Sequence, residues 1–238
     1  MINDWKSDSN IERIEVDIMN DLEYESIAAC LVGSLSRLPP KTLVIENLDS
    51  SGPEFSNRVC CFKITCPDKS RFLVKVVPAV DLESETLSEV ISRHPGLVSA
   101  NYVSIPMIFE VVFRQTGERV AFMHVTKWLD GYRDMAHLLT RLWSQGKHSS
   151  VFELIERFGK FVKSFHNSFP GIQHNDMNPM NVLITDELES FVLVDCAGLD
   201  DEVGDDVRNF ILCLEEMSLG SHFFEFSRSA FLRGYNST

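Results

Sequence analysis

Apolar residues at Ile11, Ile14, Ile18, Leu22, Ile27 and Leu31 recur at a mostly helical period, and Pro39-Pro40 closes the segment. This predicts one or two helices before residue 39. Beyond Lys41 the period changes. Short runs at Leu43–Ile45, Val59–Ile64 and Phe72–Val77 are separated by Asp49–Asn57 and Pro67–Ser70, and two more, Val103–Phe113 and Arg119–Val125, flank Gln115-Thr116-Gly117. Runs of this length, bounded by turn-forming residues, predict an antiparallel sheet. A helix is expected between Val80 and His94, inside the strand-rich part.

Helical spacing returns at Met135–Trp143 and at Phe152–Phe165, where Leu154, Ile155, Phe158, Val162 and Phe165 share one stripe. Val182–Ile184 and Phe191–Val194, joined by a polar turn, read as a hairpin. Val207, Phe210, Ile211 and Leu214 then mark a helix, and Phe223, Phe224, Phe226 and Phe231 a last one. The order predicts an α+β chain in three parts: a helical extension over 1–40, a sheet-rich part over 41–130 and a mainly helical part over 131–238.

The formal net charge of −13 argues against nucleic acid or an anionic membrane surface as partner. No run approaches the roughly 18 apolar residues of a membrane span, and Met1–Asn10 lacks the pattern of a signal peptide. A cytoplasmic protein is expected, in its own cell or in the cytosol of a host. Cys30, Cys60, Cys61, Cys66, Cys196 and Cys213 fall mostly in apolar runs without paired spacing, so they read as reduced thiols rather than disulfides or a zinc site.

Chemistry concentrates between His174 and Gly198, where the pattern His-x-Asp-x₄-Asn, a hairpin and then Asp places Asp176, Asn181 and Asp195 in sequence. Pro179 makes Asp176–Asn181 a compact loop. Asn181 opens the first hairpin strand and Asp195 follows the second, so pairing brings the two together. An amide oxygen and a carboxylate so placed suit Mg²⁺ on nucleotide phosphates, with Asp176 left to orient or deprotonate an acceptor hydroxyl. His174 reads as a hydrogen-bonding support of the loop.

Upstream, Lys75 alternates with Val74 and Val76 and so points to the opposite face of its strand, where it can reach α- and β-phosphates. It needs a carboxylate to hold it. On the following helix Glu83 falls on the stripe of Val80, Leu87, Val90 and Ile91, which makes it the first choice, with Glu85 second. The turn Asp49–Asn57 carries Gly52, Ser56 and Asn57, whose backbone N–H groups can cradle phosphate oxygens.

These residues resemble the catalytic and metal loops of the protein-kinase-like superfamily, nearest the aminoglycoside phosphotransferase and choline kinase branch, whose loop commonly reads His-Gly-Asp-Leu-x-Pro-x-Asn. Asn175 stands where glycine is usual, and Cys196-Ala197-Gly198 follows the metal Asp where protein kinases carry Phe-Gly. The resemblance spans roughly Thr42–Leu214. It implies a bilobal fold with an antiparallel β N-lobe and a reduced, mainly helical C-lobe. It also implies a hinge at Thr126–Gly131, with Thr126 and Trp128 near an adenine edge, and a phosphate turn in which Ser56-Asn57 enter the next strand. From the residues alone, Asp205 or Asp206 caps the helix after Gly204; the resemblance gives Asp206 the further task of bracing the catalytic loop.

The expected activity is an ATP- and Mg²⁺-dependent phosphotransferase with Lys75, Glu83 and Asp176 as its working residues and Asn181 and Asp195 on the metal. The related kinases build a small-molecule pocket from helices beyond this point, and only about 25 residues follow Leu214 here. That favours an open cleft and a protein Ser/Thr acceptor over a small molecule. The alternatives are a small-molecule kinase, a nucleotide-binding scaffold acting on a protein partner, and nucleotidyl transfer. The acceptor and the oligomeric state are not written in the sequence.

Overall fold

The computed structural model describes residues 12–17, 24–47, 60–78, 107–116, 118–185, 188, 190–194 and 204–237. The chain divides into two compact units, one holding 1–88 and 106–129, the other 89–105 and 130–238.

The first unit is built on a six-stranded sheet of β1 (Glu12–Asp17), β2 (Val44–Asn47), β3 (Cys60–Thr65), β4 (Arg71–Pro78), β5 (Met107–Gln115) and β6 (Glu118–Lys127), in the order β1-β5-β6-β4-β3-β2. All pairs are antiparallel except β1, which runs parallel to β5 with Ile14 opposite Val111 and Val16 opposite Phe113. The helical reading of this stretch is therefore corrected for residues 12–17. Ile14 and Val16 alternate with charged neighbours at a period of two, the signature of a strand with one apolar face. Helix α1 (Tyr24–Ser36) follows and ends before Pro39, as the double proline requires.

Alternation along the strands decides what each face does. Phe62, Ile64, Phe72, Val74, Val76, Val111, Phe113, Ala121, Met123 and Val125 form one buried layer with Ala28 and Val32 of α1. The intervening residues take the other face by pleat. Along one row of that face the register sets Cys61 opposite Lys75, Lys75 opposite His124, and His124 opposite Glu110.

The second unit carries β7 (Tyr132–Asp134), β8 (Val182–Thr185) and β9 (Phe191–Leu193) as an antiparallel sheet, with helices α2 (Met135–Ser144), α3 (His148–Ser168), α4 (Asp206–Glu216) and α5 (Ser221–Tyr235). The predicted hairpin is β8–β9, with Val182 opposite Leu193. Strand β7 is an addition to the sequence reading. Its three residues have no apolar alternation of their own and become a strand by pairing with β8. Phe158 of α3 is fully buried and its ring meets Phe191, Phe210 and Phe231 at centroid distances of 5.4, 4.7 and 6.1 Å, joining β9, α4 and α5 to α3.

Helices α3 and α5 approach so closely that a Cβ on Gly159 would collide with the Phe231 carbonyl, and one on Gly234 with the Glu156 carbonyl. Small residues at this crossing let the backbones touch and Phe231 bury. Among the described residues, no helix is long and apolar enough to cross a membrane. Gly234→Ala places a methyl against fixed backbone and is expected to cost about 1–3 kcal/mol of stability by overpacking, read as a lowered midpoint in urea unfolding with unchanged slope.

Candidate active site

The loop between α3 and β8 is held from below by one carboxylate. Asp206, the first residue of α4, has no exposed surface. Its Oδ2 accepts from the His174 backbone N–H at 2.8 Å and its Oδ1 from the Asn175 N–H at 2.9 Å, while the His166 ring Nε2 lies 3.1 Å from Oδ2. Two backbone N–H groups and a ring nitrogen around a buried carboxylate replace the water it gave up. Asp205 performs the capping role, accepting from the Arg208 N–H at 2.9 Å. The two adjacent acids thus divide the two roles between them.

The unusual Asn175 has a backbone reason. Its φ is +63°, in the left-handed region that glycine enters freely and asparagine tolerates better than most residues. Its side chain lies against Gly204, where an added Cβ would collide with Asn175 Oδ1, and its carbonyl accepts from Asn209 Nδ2 at 3.2 Å. Buried His174 points Nε2 at the Val194 carbonyl, 3.0 Å away, and so ties the loop to the end of β9. That is the supporting role expected for it.

On this base sits Asp176, exposed and with both carboxylate oxygens engaged: Asn178 Nδ2 donates to Oδ1 at 2.9 Å and Asn181 Nδ2 to Oδ2 at 2.7 Å. Asn178 went unremarked in the sequence, although Asn before Pro is a recognisable turn signal. Its Oδ1 accepts from the N–H groups of Met180 and Asn181, which makes Pro179–Asn181 a single 3₁₀ turn. One amide therefore shapes the turn and aims the carboxylate. With Nδ2 of Asn181 given to Asp176, its Oδ1 is the atom suited to a hard cation. The Val194 N–H donates to the Asn181 carbonyl at 2.9 Å, so the hairpin brings Asn181 to the residue preceding Asp195. Asp195 itself lies outside the described residues, and among those described no cluster of three His, Cys, Asp or Glu side chains forms a metal site.

In the sheet unit, Lys75 is half-buried on the face opposite the core layer, as its alternation requires. Its row contains a pair that sequence reasoning passed over: Glu110 is fully buried, with Oε1 3.5 Å from His124 Nε2. A single acid inside the run Met107–Phe113 was the available signal. At the expected hinge, Thr126 Oγ1 donates to the Leu73 carbonyl at 3.1 Å and the Trp128 N–H to the Arg71 carbonyl at 2.9 Å, so both groups are committed to β4. The Trp128 ring lies under Lys63 and Arg71, at 5.4 and 5.9 Å. Gly52, Ser56, Asn57, Glu83 and Glu85 lie outside the described residues.

Among solved structures, the chain is similar to WaaP in complex with acyl carrier protein, at 16% identity over 86% of this chain and 85% of that one, with a TM-score of 0.52. It is also similar to glucosamine kinase in crystal form B, at 15% identity over 87% and 71% of the two chains and a TM-score of 0.47. Glucosamine kinase in complex with glucosamine, ADP and inorganic phosphate matches at 14% identity over 91% and 72%, with a TM-score of 0.47. The fold is kinase-like, a mixed α+β chain with its sheet in the N-terminal part and its helices in the C-terminal part. No family profile and no curated protein matches the chain.

The half-buried thiol of Cys213, on α4, has its pKa raised by burial, then by Glu216, then by Asp176. A raised pKa leaves less thiolate at neutral pH. Iodoacetamide is expected to alkylate Cys213 more slowly than a free cysteine at pH 7, and Asp176→Asn, which removes the smallest of the three causes, to speed the reaction, as read by mass spectrometry of the modified peptide.

Proposed function

We propose that the protein is an ATP- and Mg²⁺-dependent phosphotransferase that acts on the hydroxyl of a small molecule or sugar. The observation that carries the reading is Asp176: an exposed carboxylate aimed by two side-chain amides, on a loop fixed to a buried acid, in a chain of kinase-like fold. Phosphoryl transfer is mostly positioning and charge stabilisation, so a rigidly aimed carboxylate is what the step asks of the protein.

In this reading Asp176 accepts a hydrogen bond from the acceptor hydroxyl, orients its oxygen toward the γ-phosphorus and takes the proton as the new P–O bond forms and the bond to ADP breaks. Lys75 grips the α- and β-phosphates and is held by Glu83, with the turn containing Gly52, Ser56 and Asn57 over the phosphates. Asn181, through Oδ1, and Asp195 would hold Mg²⁺, which when bound neutralises charge on the phosphate oxygens.

The acceptor in this reading differs from the one expected. A short C-terminal part suggested a protein Ser/Thr residue, but glucosamine kinase, bound in one structure to glucosamine and ADP, is among the similar solved structures, which supports a small-molecule acceptor. The residues after Leu214 also form a full helix, α5, packed on α3.

The test incubates the chain with γ-labelled and, separately, α-labelled ATP, with Mg²⁺, amino sugars, neutral sugars and a denatured protein panel. Label from the γ position is expected on a small-molecule hydroxyl, with Asp176→Ala lowering turnover by about 10²–10⁴-fold, the range of general acid–base contributions. Label on protein would restore the protein acceptor, and label from the α position would establish nucleotidyl transfer. ATP binding without transfer to any acceptor would leave a nucleotide-binding scaffold.

A further inference from the structure

The carboxylate that braces the loop is itself held by a residue with no part in the proposed chemistry. His166, near the C-terminal end of α3, is 12% exposed at its side chain, with Nε2 facing Asp206 Oδ2 at 3.1 Å. Its other nitrogen, Nδ1, lies 2.9 Å from the hydroxyl of Tyr235, the last residue of α5. A carboxylate oxygen only accepts, so Nε2 carries a hydrogen, and in the neutral ring Nδ1 is then the acceptor of the Tyr235 O–H. The opposite tautomer would set a lone pair of Nε2 against Oδ2 and leave the buried carboxylate one donor short.

Tyr235 is suited to donate. Its ring is nearly perpendicular to that of His166, at a centroid distance of 5.7 Å, and Lys163 Nζ lies 5.3 Å over it. Burial, then the charges of Asp205 and Asp206, raise its pKa, which keeps the hydroxyl protonated. The adjoining Gly234 fixes the backbone against Glu156.

We propose that His166 and Tyr235 are positioning residues of the catalytic loop: the Tyr235 hydroxyl fixes His166 in its Nε2–H form, and that ring orients Asp206 so that its two oxygens meet the His174 and Asn175 amides. The last helix of the chain thereby sets the placement of Asp176, through a relay that begins 69 residues beyond His166 in sequence. The kinetic consequence rests on the phosphotransferase reading; the structural one does not.

The experiment uses the full chain, uniformly ¹⁵N-labelled, as wild type, Tyr235→Phe, His166→Gln, His166→Leu and Arg233→Ala. The last cuts the 3.2 Å tie between α5 and Glu156 but no member of the relay. Ring ¹⁵N correlations read the His166 tautomer, amide exchange reads His174 and Asn175, and Mg²⁺-ATP turnover separates kcat from KM.

Tyr235→Phe is expected to populate the Nδ1–H tautomer and to speed exchange at those two amides about tenfold, the scale of a lost hydrogen bond next to a charge, while α2 amides stay unchanged. In Tyr235→Phe, kcat falls by a similar factor and the KM for ATP holds. His166→Gln, which keeps a donor for Asp206, is expected to retain more protection than His166→Leu; if the latter does not fold, Tyr235→Phe alone decides. Unchanged tautomer and amides in Tyr235→Phe overturn the relay, as does equal deprotection by Arg233→Ala, which would mean only that α5 must be docked. A wild type without ATP turnover removes the phosphotransferase reading, and the tautomer and amide exchange still decide the relay.

Discussion

Burying a carboxylate costs several kcal/mol unless donors surround it, and Asp206, with no exposed surface, meets that requirement by taking the backbone of the loop that carries Asp176 as its solvent. The dependence runs both ways. The His174 and Asn175 N–H groups point inward and need an acceptor, and the acid needs them. Much of the surrounding structure follows from this exchange: Asn175 in the left-handed region, the absence of a Cβ at Gly204, and α4 starting where Asp205 caps it while its neighbour turns inward. Asp176 inherits its placement from this base, and the amides of Asn178 and Asn181 complete its aim.

The sheet unit solves a different problem with simpler means. Period-two alternation separates an apolar layer under α1 from a face that carries Lys75, so one strand serves the core and the candidate phosphate site. Beside Lys75, another buried acid lies near an imidazole: Glu110 Oε1 is 3.5 Å from His124 Nε2.

Elements governed by local pattern were legible in the sequence. The strands β2 to β6, the β8–β9 hairpin and the five helices among the described residues correspond to periodic runs, because burial of one face imposes the period; the helix expected over Val80–His94 lies outside those residues. Two strands were not legible. Residues 12–17 offer only Ile14 and Val16, and their pairing with β5 joins distant parts of the chain; β7 exists only through β8. The site divides the same way. Asp176 and Asn181 stood out by spacing, and the hairpin that brings Val194 to Asn181 was predictable. Residue-level reading could not choose between Asp205 and Asp206, since both stand at the start of a helix and only the fold shows which one turns inward. His166 and Tyr235 carried no local signal, because their relation is made by packing α5 on α3.

The central claim is that the buried Asp206 carboxylate places Asp176 for phosphoryl transfer, and steady-state turnover of Mg²⁺-ATP by Asp206→Asn tests it most directly. The substitution keeps size and one oxygen but sets an amide N–H₂ against a loop donor. The account predicts kcat lowered by about 10²-fold, the scale of a small misplacement of a reacting group, with an unchanged KM for ATP. A variant that folds, loses protection at the His174 and Asn175 amides and still turns over at the wild-type rate would contradict it.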